Sequence, residues 1–174
     1  MLKDYQGKKL TFIGMIKIVK YQTKFYKSVS QLIDSNFGVG YCSSKKIEVN
    51  FSWCAINENN EIVGFSSLLV EKQEVIFDLI VVEKKSRGKN IAKDLFAVRF
   101  AKAKQLRLKK IIINHWVKKE ALKPFYAESL GFKFTKRSIN YWAEESTLLK
   151  YHCLECDKFP CRCVCDTYTL ILIN

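Results

Sequence analysis

Glu74–Ala92, EVIFDLIVVEKKSRGKNIA, is the stretch whose reading decides the fold. Val75 to Val82 reads as one buried strand, apolar except for Asp78. Glu83 to Ser86 is a charged corner, and Arg87-Gly88-Lys89-Asn90-Ile91-Ala92 follows as a basic turn containing a glycine. A helical pattern begins at once, with Ile91, Leu95 and Val98 on one stripe and Ala92, Phe96 and Phe100 beside it. The first backbone N–H groups of a helix lack intrahelical partners, and the macrodipole adds positive charge there. A strand that ends in a basic turn and feeds such a terminus is a candidate phosphate site.

Working outward, Leu10 to Val19 reads as a strand and Phe25 to Ile33 as a helix, stopped at Asp34-Ser35-Asn36 with Gly38 and Gly40 beyond. Phe51–Ile56 and Ile62–Val70 form a hairpin across Asn57-Glu58-Asn59-Asn60, and a turn at Glu71–Gln73 leads into the strand at Val75. Residues 51–82 therefore form an antiparallel meander. After the helix ending near Leu106, Ile111-Ile112-Ile113 is a fully apolar strand. Glu120 to Leu130 reads as a helix capped by Gly131. Phe132 to Thr135 starts another strand, extending toward Trp142, and Thr167 to Ile173 is the last. The crossover helix between two strands makes the sheet mixed. The expected class is α/β, with six to seven strands flanked by helices.

The 174 residues suit a single domain over 1–174, and 48% hydrophobic residues argue against disorder. Thirty Lys+Arg against 17 Asp+Glu give a net charge of +13, which favours an anionic partner: a phosphorylated cofactor, nucleic acid or an acidic protein. No secretory signal and no run of apolar residues long enough for a membrane span is visible, so a cytoplasmic protein is expected. Five of the seven cysteines lie within residues 153–165, inside a Cys-rich insertion at 150–166. In a reducing compartment that crowding suits a metal site better than a disulfide framework. Taking Cys153, Cys156, Cys161 and Cys165 gives spacings close to a zinc knuckle, and Cys163 or His152 is able to replace one of them.

The order of these elements resembles the GNAT family of acyl-CoA N-acyltransferases over roughly residues 15–140 and the last strand. The family's phosphate loop, Arg/Gln-x-x-Gly-x-Gly/Ala, corresponds to Arg87-Gly88-Lys89-Asn90-Ile91-Ala92, with Asn90 in the usual glycine position. Asparagine is the best non-glycine residue at positive φ. The resemblance implies a GNAT fold and acetyl-CoA, or another acyl-CoA, as donor. It implies that the backbone of 88–92 holds a pyrophosphate with charge from Arg87 and Lys89, and that the pantetheine arm pairs with the strand end near Ile80 and Val82. It also implies a gap between that strand and Ile111–Asn114.

For the chemistry, the family's histone-acetylating branch carries a general-base glutamate in a segment matched here by Glu74-Val75-Ile76-Phe77. Tyr126, in Phe125-Tyr126, matches the family's usual general acid, although four residues rather than three separate it from Gly131-Phe132. Asp78, Asn114 and His115 lie near the expected cleft, and His115 is able to relay a proton. The expected function is an acetyl-CoA-dependent N-acetyltransferase acting on an amine of a small molecule, a protein or an RNA-linked group, with a structural zinc; homodimerisation is compatible with it. The alternative is a nucleic-acid-binding module on a degenerate GNAT scaffold with a zinc knuckle.

Overall fold

Phe51–Ile56 and Ile62–Glu71 carry the aromatic and β-branched residues that suit a pleated surface. They pair antiparallel as β2 and β3, with Phe51 opposite Leu68 and Trp53 opposite Ser66. Asn57 makes the turn between them, its Oδ1 accepting from the backbone N–H groups of Asn59 and Glu61. The computed structural model describes residues 16–42, 47, 51–117 and 127–172.

β1 (Lys17–Lys20) flanks β2, and β4 (Glu74–Phe77) returns antiparallel to the far half of β3. β5 (Ile80–Val82) pairs with the near half of β3, Phe65 facing Val81. β6 (Lys110–Val117) runs parallel to β4 from Glu74/Lys110 to Phe77/Ile113. β8 (Val164–Ile171) is antiparallel to β6, and β7 (Lys133–Ser138) pairs with β8 at the edge. The order is β1-β2-β3-β4-β6-β8-β7, with β5 beside β3. The α/β class and mixed sheet hold. Among the described residues the strand count is eight, because the single strand expected over 75–82 is two strands.

Other boundaries move as well. β6 runs on to Val117, and β7 stops at Ser138. Trp142 caps a short helix, α3 (Ala143–Leu149), for which the sequence carries no clear signal. β8 begins inside the cysteine run rather than at Thr167. Of the helix expected over 120–130, residues 120–126 lie outside the described residues; Glu128–Leu130 form one 3-10 turn closed by Gly131 at φ 86°.

Helices cover both faces. α1 (Tyr26–Phe37) buries Val29, Leu32 and Ile33, one helical stripe, against Phe65, Leu79 and Val81. α2 (Ile91–Gln105) buries Leu95 among Ala55, Val63 and Val82, and Phe96 and Phe100 against Val75, Phe77 and Ile111. Each such side chain contributes about 2–3 kcal/mol, so α2 is anchored along its whole length.

The interruption at Asp78-Leu79 positions everything that follows. There β3 bonds to the chain irregularly: Ser67 N–H donates to Leu79 O at 2.9 Å, and the Leu79 N–H reaches the Ser67 hydroxyl at 3.2 Å. The Ser67 hydroxyl in turn donates to Asp78 Oδ2 at 3.2 Å. Arg99 of α2 fills the break from beneath, its guanidinium donating to Ser67 O and Leu79 O at 3.3 and 3.1 Å. It stacks 4.6 Å over the Phe77 ring and is only 2% exposed. Burial pulls its pKa down to about 9, with the Asp78 charge opposing, so it remains a cation at neutral pH. Arg99→Ala is expected to destabilise the protein by about 3–5 kcal/mol, through the lost charge-assisted bonds to Ser67 O and Leu79 O and a cavity. Urea unfolding checks this, and a loss below about 1 kcal/mol would remove Arg99 from that role.

Candidate functional site

Beyond the break the sheet opens. β4 and β6 stay paired only as far as Phe77/Ile113. β5 then pairs on one side with β3, and the upper half of β6, Asn114–Val117, pairs on its far side with β8. Among the described residues no strand lies between Ile80–Val82 and Asn114–Val117. The result is a V-shaped opening whose one wall is a strand edge with backbone groups available for pairing.

At its outer end β5 delivers the chain to the basic turn. Gly88 takes φ 79°, with open space where a Cβ would stand. Asn90 takes φ 60° and ψ 8°, the left-handed conformation anticipated for it, and caps α2. The first intrahelical bond runs from the Asp94 N–H to Asn90 O. The N–H groups of Ile91, Ala92 and Lys93 therefore have no partner within the helix. They border a cavity of about 190 Å³ lined also by Val82, Ser86, Arg87 and Gly88. Lys89 and Lys93 are exposed beside it.

Arg87 lines this cavity and is also tied to the fold. Its Nε donates to Val82 O at 3.2 Å, and its NH2 group donates to Asn36 Oδ1 of α1 at 2.6 Å. It ties the end of β5 and the turn to the helix on the opposite face. Ile80 and Val82 lie on the wall of the V.

Glu74 is not brought to the opening. It stands at the paired end of the sheet, where its carboxylate forms a 2.6 Å ion pair with Lys110. It lies four residues before Asp78, about 13 Å along an extended chain. The strand that carries Glu74, the base expected from the sequence, ends before the V begins. Tyr126 lies outside the described residues. Asp78 sits in the break itself, engaged by Ser67.

Three polar groups stand at the upper half of β6 or beside it. Asn114 is the first β6 residue past the β4 pairing, and its Oδ1 accepts from Thr167 Oγ1 at 3.0 Å. Tyr141 lies near the Asn114 side chain, and burial raises its pKa, which keeps it protonated at neutral pH. The sequence reading missed Tyr141 because it lies in the connection after β7 and reaches Asn114 only through the fold. His115 follows on the other face of β6, opposite Asp166. Burial lowers the His115 pKa, the Asp166 charge opposing, so the ring is neutral at pH 7. Asp166 is held by a two-pronged pair with Arg137 at 2.7 Å on each arm, and this hydrogen bonding lowers its carboxyl pKa.

The same architecture recurs in known proteins. Residues 50–134 match the family described as acetyltransferase (GNAT) domain. The chain has the GNAT fold. The ribosomal-protein-S18-alanine N-acetyltransferase from Escherichia coli superposes on it with a TM-score of 0.69 at 14% identity, covering 92% of this chain and 96% of that one. Ard1 from Thermoplasma volcanium gives 0.67 at 13% identity, covering 91% and 99%. A chain of the NatC complex bound to Gag peptide and CoA gives 0.68 at 17%, covering 91% and 99%. At such identities the likeness speaks for the fold. No curated protein matches the chain in sequence. Among the described residues no helix is long and apolar enough to cross a membrane.

The cysteines form a second cluster, on the α1 side of this fold. Cys153, Cys156 and Cys161 converge as expected, but the fourth member is Cys163 and not Cys165. Cys165 is already part of β8, opposite Trp116, with its sulfur 3.9 Å from Thr167 Oγ1. Two residues of extended chain separate it from Cys163 by about 6.6 Å, beyond the cluster's reach. His152 is exposed and packs on the Phe159 ring instead.

The left-handed cap offers a direct check. Asn90→Gly is expected to leave thermal stability within about 0.5 kcal/mol, whereas Asn90→Val costs about 1–2 kcal/mol, because a β-branched side chain clashes at φ 60°. Differential scanning calorimetry of the two variants reads the difference.

Proposed function

We propose that this protein transfers an acetyl group from acetyl-CoA to an amine acceptor by direct attack on the thioester. One observation carries the reading: the opening between β5 and β6 leads along an available strand edge to the unpartnered N–H groups at the start of α2. An extended chain bearing amides suits the first, and a pyrophosphate suits the second. The pantetheine arm lies against Ile80 and Val82. The pyrophosphate sits on the backbone of Gly88, Lys89, Asn90, Ile91 and Ala92, with Lys89 and Lys93 supplying charge. Arg87, at the cavity wall, braces the turn through Val82 O and Asn36. The match of residues 50–134 to the GNAT domain and the CoA named with the NatC complex support acetyl-CoA as donor.

The thioester then lies near the break at Asp78-Leu79, facing Asn114, His115 and Tyr141. The acceptor nitrogen forms the new bond to the acetyl carbon as the carbon–sulfur bond breaks. His115, neutral at pH 7, takes the proton lost by the amine, and the protonated Tyr141 phenol gives one to the departing thiolate. Glu74 has no direct part in this step.

Isothermal titration with acetyl-CoA tests the donor; no binding at millimolar cofactor sinks the reading and leaves the nucleic-acid module. Tyr141→Phe is expected to lower kcat about 100-fold while leaving acetyl-CoA affinity unchanged. For His115 the sign follows from its lowered pKa. A base of that kind fails only as pH falls through a value below the usual 6.5 or so, giving a plateau at pH 7 and an acid limb below it. His115→Asn should abolish that limb; a kcat/KM profile unchanged in the variant would assign the base elsewhere.

A further inference from the structure

The cysteine cluster is used by nothing in the acyl-transfer scheme. Its four sulfurs all lie within 4.8 Å of one another. Cys153 and Cys163 are 3.6 Å apart, and Cys156 and Cys161 are 3.9 Å apart. A disulfide requires about 2.05 Å, and every described cysteine is free. Four thiolates around one Zn²⁺ at about 2.3 Å stand about 3.8 Å from each other at the corners of a tetrahedron. The two measured separations bracket that edge.

The surroundings are those of a metal knuckle. Backbone N–H groups point at the sulfurs, Glu155 N–H to Cys153 and Arg162 N–H to Cys156, each at 3.4 Å. Such bonds favour the thiolate form that a metal needs. Cys153, Cys161 and Cys163 are buried, and within the cluster no carboxylate or imidazole joins them. An all-sulfur, closed donor set selects zinc over hard cations and leaves no open position for catalysis.

We propose that Cys153, Cys156, Cys161 and Cys163 bind one structural Zn²⁺ that locks the 151–163 segment between α1, α3 and the outer wall of the V. The segment has scant regular structure to hold it: no helix or strand intervenes between α3 and β8. Its contacts to the rest of the fold radiate from the cluster. The Cys161 N–H donates to the buried Ser146 hydroxyl of α3 at 2.8 Å. The Leu154 N–H reaches Phe37 O at the end of α1. Gly38, at φ 128°, admits the His152 backbone so closely that a Cβ there would collide with its carbonyl oxygen. The Trp116 indole sits against Cys163 and stacks on Phe37 at 5.3 Å. The metal thus stands directly behind Trp116, on the β6 half of the V. The proposal is independent of acyl transfer and is tested without an activity assay.

Purified full-length protein, kept reduced, is analysed for metal by mass spectrometry and titrated with Co²⁺. One zinc per chain is expected, together with the visible bands of tetrahedral cobalt and a near-ultraviolet thiolate-to-cobalt transition of four-sulfur intensity. Cys163→Ser should weaken zinc binding by roughly 100-fold, its share of a four-ligand site, and cut the thiolate transition by about a quarter. Cys165→Ser should leave metal content and spectrum unchanged. Absence of stoichiometric zinc and of a tetrahedral cobalt spectrum in the unsubstituted protein overturns the proposal, as does iron in place of zinc. Loss of metal in Cys165→Ser overturns the ligand set. If Cys163→Ser does not fold, the unsubstituted cobalt spectrum and Cys165→Ser still decide.

Discussion

The protein depends on one buried cation. Arg99 lies under the sheet where β4 stops and β5 begins; it binds Ser67 O, which a regular ladder would have paired, and shares Leu79 O with the Ser67 N–H. Removing a guanidinium from water is expensive, and here two carbonyls, the Phe77 ring and the Asp78 charge offset that cost. Because the guanidinium holds the break from beneath, β5 turns away from β6 at a defined residue. The V between them, the approach of β5 to the turn and the seating of α2 all follow from that single irregularity.

Two further devices hold the opening in shape. At its outer end, Arg87 bridges the β5 terminus to Asn36 of α1, so the turn carrying Gly88 and Asn90 is tied to the helix on the opposite face. On the β6 side, Trp116 is clamped between Phe37 and Trp142, with the cysteine knuckle behind it. The two walls are therefore braced by different means: a charged tie to α1 on one side, and on the other an aromatic stack backed by four sulfurs. The polar groups suited to chemistry, Asn114, His115 and Tyr141, stand between these braces. The surplus of positive charge on the chain suits an anionic cofactor on that side, although most of those lysines are solvated surface.

The difference between Glu74 and Tyr141 shows where a one-dimensional reading loses the site. Glu74 sits at the expected distance in sequence from Arg87, but counting along the chain assumes one continuous strand. The break at Asp78 and the parallel partner Lys110 place Glu74 at the closed end instead. Tyr141 has no such signature; its position depends on β7 pairing with β8 and on the chain turning back over β6 toward Asn114. Cys163 and Cys165 differ for a related reason. Their spacings are both compatible with a knuckle, and only the start of β8 decides which sulfur remains outside the sheet.

The sequence by itself determined the local structure. Alternation and turn chemistry marked the meander over 51–77, helical spacing marked α1 and α2, and Arg87-Gly88-Lys89-Asn90 marked the turn, down to the left-handed asparagine. These are near-neighbour effects of backbone sterics and side-chain periodicity, and they are written within a few residues. Only the tertiary structure decided that the strand over 75–82 is two, that Arg99 occupies the gap, that Glu74 is remote from the opening, and which four sulfurs meet. Each of those depends on groups far apart in the chain satisfying one another's charge, hydrogen bonds or volume, and such pairings exist only once the sheet has closed around them.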